Sequence, residues 1–117
     1  MKFTADFLIK EKILIVRLSG ELDHHEAKQL REKWQSVLFE NEINHIIINF
    51  ERVTFMDSSG IGVILGRYKE IVKRGGKMII CSINPAIERL FEMSGLLKII
   101  HLEDNEQIAL YSLGVAS

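Results

Sequence analysis

The sequence predicts an α/β fold: a mostly parallel β-sheet with an antiparallel strand at its N-terminal edge, flanked by about four helices. Two segments rich in apolar residues at the start are joined by the charged turn Glu11-Lys12, which is typical of an antiparallel hairpin. The later apolar runs alternate with segments of helical periodicity. Because right-handed crossovers join such strands, we expect them to lie parallel, in the chain order β-β-α-β-α-β-α-β-α.

The first two elements are strands. The first strand is predicted from the alternation of Phe3, Ala5, Phe7 and Ile9 with Lys2, Thr4, Asp6 and Lys10. The segment 13–18, apolar except for Arg17, follows the charged turn and predicts the second strand. We expect Gly20 to end this second strand.

A helix and a buried strand follow. Asp23 is suited to cap the helix, with Glu26 three residues on, and apolar residues keep helical spacing up to Asn41. The run 45–50 is short and rich in β-branched residues, which indicates a strand buried on both faces.

The second helix has a clear apolar period. Asp57 is suited to cap it, and it is expected to end at Gly75 and Gly76. Its apolar stripe consists of Ile61, Ile64, Leu65, Tyr68, Ile71 and Val72.

The remaining elements are shorter. We predict a strand over 77–83, then a helix with Pro85 at its first position and Gly95 beyond its end. The last strand is predicted over 98–102, and Asp104 is expected to open the final helix.

Composition limits the possible functions. The 117 residues are 47% hydrophobic and 26% charged, which predicts one globular domain over 1–117. Fifteen Lys and Arg residues stand against sixteen Asp and Glu residues, giving a formal net charge of -1. Such a chain has no excess of positive charge with which to neutralise phosphates, so nucleic acid is not expected as a ligand.

The cysteine content and the apolar runs indicate where the protein works. Cys81 is the single cysteine, so no internal disulfide can form. No apolar run reaches the roughly 18 residues that a membrane span needs. Acids near the start, such as Asp6, do not fit an export signal. We therefore expect a cytoplasmic protein without a membrane partner.

Enzymatic and metal-binding motifs fail on spacing. A dinucleotide loop needs a glycine where Leu65 stands, and the segment 57–60, Asp-Ser-Ser-Gly, lacks the first glycine of a hydrolase nucleophile elbow. His24 and His25 are adjacent on a helix start, where side chains diverge by about 100° and do not converge on one metal. We expect no metal and no cofactor, and we interpret Cys81 as a buried core residue.

The second helix offers an unusual surface instead. By helical spacing, Ser59, Gly62, Val63 and Gly66 are expected to lie opposite the apolar stripe, where a solvated helix would carry charges. Glycine costs roughly 1 kcal/mol in a helix relative to alanine, so some contact should compensate for it. A docked partner is one explanation, and close packing of Gly62 within the fold is the alternative.

Two serines lie at the start of this helix. The free N–H groups and the dipole of a helix N-terminus tolerate a phosphate in the unbound protein. Pressed against a partner, a phosphate on Ser58 would add about two negative charges beside Asp57 and oppose binding. The alternative is ordinary capping by Ser58 and Ser59. Residue physics does not choose between the serines, and helical geometry predicts Ser59 to be the more outward.

Three segments, 18–25, 55–69 and 91–96, closely resemble the anti-sigma factor antagonists. The resemblance covers essentially the whole chain and is strongest to the sporulation members of endospore-forming bacilli that control sigma-F. It implies the STAS fold and a non-enzymatic protein that switches partners.

The resemblance also assigns roles to residues. It implies that an anti-sigma factor, itself a serine protein kinase, phosphorylates Ser58, and that a serine phosphatase reverses this. The unphosphorylated form would bind the anti-sigma factor and release the sigma factor. Asp57 would flank the acceptor, Ser59 and Gly60 would shape the helix start, and Asp23 with Ile61 would belong to the kinase-docking surface.

Two alternatives belong to other classes. One is a small nucleotide-binding or hydrolysing enzyme, against which the motif spacings argue. The other is a phospho-aspartate receiver with Asp57 as acceptor. Receivers resemble one another in an acidic pair after the first strand, whereas 17–20 here reads Arg-Leu-Ser-Gly.

Overall fold

The structure is a computed structural model that describes residues 2–116. The strands are β1 (Thr4–Lys10), β2 (Ile13–Leu22), β3 (His45–Met56), β4 (Met78–Cys81) and β5 (His101–Glu103). The helices are α1 (His24–Glu40), α2 (Ser58–Lys73), α3 (Pro85–Ser94) and α4 (Glu106–Ser112), with one 3-10 turn at Leu96–Lys98. The predicted element order is confirmed.

The five described strands form one sheet in the order β1-β2-β3-β4-β5. β1 pairs antiparallel with β2, and the other neighbouring pairs are parallel. The registers place Ile15 beside Ile47 and Ile47 beside Ile79, so the apolar runs of three successive strands meet in the middle of the sheet. The predicted mostly parallel α/β fold with an antiparallel edge strand is therefore confirmed.

The sheet is covered on both faces. Ile46 and Ile48 belong to a core with residues of α1, α2 and α3, whereas Ile47 belongs to a second core with Ala109 of α4. Successive side chains of a strand point to opposite faces, so this division follows from the pleat. The prediction that the run 45–50 is buried on both faces is confirmed for these isoleucines.

Gly20 does not end β2, contrary to the prediction. The strand continues to Leu22, and Gly20 adopts a φ of +93° between two shifts in the pairing with β3. A Cβ at this position would lie 2.3 Å from the carbonyl oxygen of Lys2. Gly20 thus permits a bulge and a close backbone approach, and the extended strand carries the chain directly to Asp23.

Two predicted boundaries near the C-terminus are wrong. The strand predicted over 98–102 begins too early, because Leu96–Lys98 is a 3-10 turn and pairing with β4 starts at His101. The cap of α4 is Asn105 rather than Asp104. The Asn105 side chain accepts a hydrogen bond of 2.9 Å from the backbone N–H three residues on.

Candidate functional site

The candidate site lies where β3 passes into α2. Asp57 has an extended backbone, and its Oδ1 accepts a hydrogen bond from the N–H of Ser59 at 2.9 Å. This is the geometry of a helix N-cap, so the predicted capping role of Asp57 is confirmed. The site therefore stands at the carboxyl edge of the parallel strands, where α/β proteins commonly bind their ligands.

Gly60 sets the position of the helix start. A Cβ on Gly60 would lie 2.5 Å from Cγ of Met56 and 3.0 Å from Cδ2 of Leu22. A residue with a Cβ would force the side chains of Met56 and Leu22 to move, so glycine lets α2 begin close to the ends of β2 and β3. Gly60 is buried, so it shapes the helix start and offers almost no surface to a partner.

The two serines differ in exposure. Ser58 is exposed, whereas Ser59 is half-buried on the side of α2 that faces α1. The expectation that Ser59 is the more outward is wrong. The buried face of α2 contains Gly60 and Ile64, and Ser58, two residues before Gly60, lies about 200° around the helix from it. Within residues 2–116, the Ser58 hydroxyl has no hydrogen-bond partner.

Val63 is not on the outward face that the sequence predicted. Its side chain is 6% exposed and belongs to the core that α1 and α2 share. The buried face is rotated from the predicted stripe, because α1 covers one flank of α2 as well as the sheet covering its base. Accordingly Val72, predicted to be inside, is 45% exposed, and Arg67 is buried.

Packing within the described fold does not require glycine at position 62 or 66. Gly62 is exposed and Gly66 is half-exposed. A Cβ at either position would meet nothing within 4 Å. Close packing of Gly62 within the fold, the alternative raised from the sequence, is therefore wrong.

We call the outward surface of the first two turns of α2 the α2 face. It consists of Ser58, Ile61, Gly62, Leu65 and Gly66. These residues carry no charge, and the two glycines leave the helix backbone open to close approach. Such a surface suits a partner that packs flat against the helix.

Asp23 lies beside this site. Its carboxylate caps α1 by accepting hydrogen bonds from the N–H groups of Glu26 (2.9 Å) and His25 (3.0 Å). These bonds, chiefly that from Glu26, hold the pKa of the Asp23 carboxyl below its ordinary value. Leu22 and Met56 are paired in the sheet, so the caps that follow them, Asp23 and Asp57, start α1 and α2 side by side.

A groove between α1 and α2 was not predicted. It has a volume of about 430 Å³ and is lined by His24, Ala27, Lys28, Arg31, Ser59, Gly62 and Val63. Its two walls are about 30 residues apart in the chain, so no local motif reveals them together. The sequence feature that could have indicated the groove is the spacing of His24, Lys28 and Arg31, which places them on one face of the first helix.

The remaining chemical groups behave as core or surface residues. Burial raises the pKa of the Cys81 thiol to about 12, so the thiol is protonated at neutral pH. Among the described residues, no three His, Cys, Asp or Glu side chains are grouped to hold a metal ion. None of the helices described above is long and apolar enough to cross a membrane.

Known proteins match this chain over nearly its whole length. Residues 4–109 match the family model of the STAS domain. The chain is 50% identical over 105 residues to the anti-sigma F factor antagonist of Paenibacillus polymyxa, covering 90% of each chain. It is 38% identical over 96 residues to the anti-sigma F factor antagonist of Lysinibacillus sphaericus, covering 82% of this chain and 81% of that one.

Solved structures show the same similarity. The chain matches the unphosphorylated anti-sigma factor antagonist SpoIIAA with a TM-score of 0.76 and 32% identity, over 97% of this chain and 98% of that one. It matches the phosphorylated Bacillus cell fate determinant SpoIIAA with a TM-score of 0.74 and 35% identity, over 96% of this chain and 99% of that one. This chain therefore belongs to the STAS-domain family and, within it, to the anti-sigma F factor antagonists.

Proposed function

We propose that this chain is an anti-anti-sigma factor. Its unphosphorylated form binds an anti-sigma factor that is also a serine kinase, and this binding releases a sporulation sigma factor. Family membership supports the role. The observation that carries the proposal is the exposed Ser58 hydroxyl at the edge of the uncharged α2 face.

Phosphorylation of Ser58 is the proposed off switch. A phosphate carries about 1.5 to 2 negative charges at neutral pH, and the N-terminus of α2 accommodates them while the protein is free. In a desolvating contact on the α2 face, the same charges oppose binding. SpoIIAA, to which this chain is similar, has been solved in an unphosphorylated and a phosphorylated form, which supports a phosphorylation switch.

Each proposed site residue then has a distinct task. Asp23 and Asp57 hold the two helix starts, and Ser59 and Gly60 shape the start of α2. On the α2 face, the partner contacts Ile61 and both exposed glycines, Gly62 and Gly66. The mostly buried Val63 supports that face from beneath.

The proposed setting follows from the switch. The protein works as a single-domain binding module rather than an enzyme, in the cytoplasm, where the kinase finds ATP and the sigma factor. A serine phosphatase removes the phosphate and restores binding.

Phosphate mapping tests this proposal. We would incubate the protein with its cognate anti-sigma F factor and ATP and locate the phosphate by mass spectrometry, with Ser59→Ala as the control. One phosphate on Ser58 is expected in both proteins. A phosphate on Ser59, or an alkali-labile acyl phosphate on Asp57, would contradict the assignment.

A further inference from the structure

The groove between α1 and α2 carries unpaired positive charge. His24, Lys28 and Arg31 are spaced four and three residues apart on α1 and line the same wall. Lys28 and Arg31 are exposed, and within residues 2–116 neither forms an ion pair. Among the residues that the structure describes, no carboxylate lines the groove. We call it the basic groove.

A buried arginine lies close to Arg31 of this groove. Arg67 lies one helical turn beyond Val63 and is 6% exposed. Its Nε is 3.1 Å from Oε1 of Glu70, but its Nη1 has no hydrogen-bond partner among the described residues. Burial is the main reason that the pKa of Arg67 is lowered, and repulsion from Arg31 contributes. Glu70 also lies 4.0 Å from Arg74, so one carboxylate is shared between two guanidinium groups.

The opposite wall leaves room for a ligand. Gly62 lines the basic groove and is also part of the α2 face, so the two surfaces are continuous. A side chain entering there would meet no Cβ at Gly62, and Gly66 one turn on is equally open. A partner seated on the α2 face therefore reaches the basic groove without any movement of α1.

We propose that the basic groove binds an acidic segment of the partner protein, with Asp or Glu side chains placed between Lys28 and Arg31 on one wall and Gly62 on the other. This inference rests on the proposed function, because the partner that covers the α2 face is the one that reaches the groove. Complementary charge of this kind speeds association and selects among partners more than it adds affinity. The groove thus acts as a specificity element beside the uncharged docking surface.

Charge reversal tests the proposal. The double variant Lys28→Glu/Arg31→Glu would be titrated with the cognate anti-sigma F factor at about 50 mM and about 500 mM salt, with association rates recorded. The matched control is Lys10→Glu/Lys98→Glu, which changes net charge equally. Both control residues are exposed and lie near the opposite edge of the sheet, beside the amino ends of β2 and β5. Thermal unfolding of both variants confirms that each is folded.

Wild-type affinity is expected to fall as salt rises. At low salt the groove variant should bind about tenfold or more weakly, mainly through slower association, and at high salt this difference should shrink. The control should follow the wild type. If the groove variant binds like the control, or more tightly, the proposed binding of an acidic segment in the basic groove is wrong. The proposed function is not contradicted by that result. A wild-type protein that binds at neither salt concentration contradicts the proposed function itself.

Discussion

The backbone N–H of Asp57 donates a hydrogen bond of 3.4 Å to the carbonyl oxygen of Leu22, the last residue of β2. This bond extends the pairing of Leu22 with Met56 by one residue beyond the sheet. As a result the two capping residues, Asp23 and Asp57, hold the starts of α1 and α2 next to each other. The α2 face and the basic groove both depend on this arrangement.

Replacing Ser58 by alanine should abolish phosphorylation and leave binding to the anti-sigma factor constitutive. Asp57 rather than Ser58 caps α2, so the free energy of unfolding should change by less than about 0.5 kcal/mol, as for an ordinary surface substitution. Radiolabelled ATP incorporation, titration of the anti-sigma factor and urea unfolding measure the three effects. Phosphate incorporated at the wild-type level would show that the acceptor is another residue.

Asp57→Ala should destabilise the protein by about 1 kcal/mol, because α2 loses its N-cap. Asp57→Asn keeps a capping oxygen without the charge and should cost much less. Urea unfolding at neutral pH compares the two variants. Equal destabilisation by both would mean that the charge of Asp57, and not its hydrogen bond, stabilises the helix start.

Substitutions at two glycines of α2 should have different effects on stability. Gly66→Glu meets open space and should weaken partner binding without loss of stability, since glutamate is the better helix former. Gly60→Ala should destabilise by about 1 to 3 kcal/mol, because its Cβ collides with Met56. Thermal unfolding and titration of the anti-sigma factor separate the two effects. Unchanged binding by Gly66→Glu would remove Gly66 from the interface.

Glu106 should make stability depend on pH in the acid range. Arg17 donates two hydrogen bonds to its carboxylate, at 2.8 and 2.9 Å, and Asn49 donates a third at 2.7 Å. The bond from Arg17 is the main reason that the pKa of Glu106 is lowered.

Because the pKa is lower in the folded protein, this stabilisation is present above the unfolded value of about 4.3 and is lost as pH falls through the folded value. Urea unfolding from about pH 7 to pH 3 measures this loss. The free energy of unfolding should fall less in Glu106→Gln than in the wild type, because the variant has no carboxyl to protonate at this position. Parallel pH profiles for the variant and the wild type would contradict the prediction.

The features that the sequence predicts correctly are those whose determinants are local. The caps Asp23 and Asp57 and the buried strand around Ile47 depend on residues within a few positions of each other. The predictions were wrong for Val63 and for the relative exposure of Ser58 and Ser59. A helical period places residues relative to one another, but the neighbouring helix α1 decides which flank is covered.

The basic groove was missed for a related reason. Its walls come from two helices whose separation is set by the pairing of β2 with β3, a contact between residues 34 positions apart at Leu22 and Met56. The prediction of a strand over 98–102 was wrong for a different reason. A 3-10 turn occupies the first part of an apolar segment whose sequence is equally compatible with a strand.

The most direct test is a titration of the anti-sigma factor with unphosphorylated and Ser58-phosphorylated protein, paired with amide chemical shifts of each form. Without a compensating arginine, a phosphate forced into a desolvated contact should cost about 3 to 5 kcal/mol. Affinity should then fall by about two to three and a half orders of magnitude. The shift changes should stay near the start of α2. Equal affinities of the two forms would place Ser58 outside the interface, and shift changes throughout the sheet would show a conformational switch in place of a local charge.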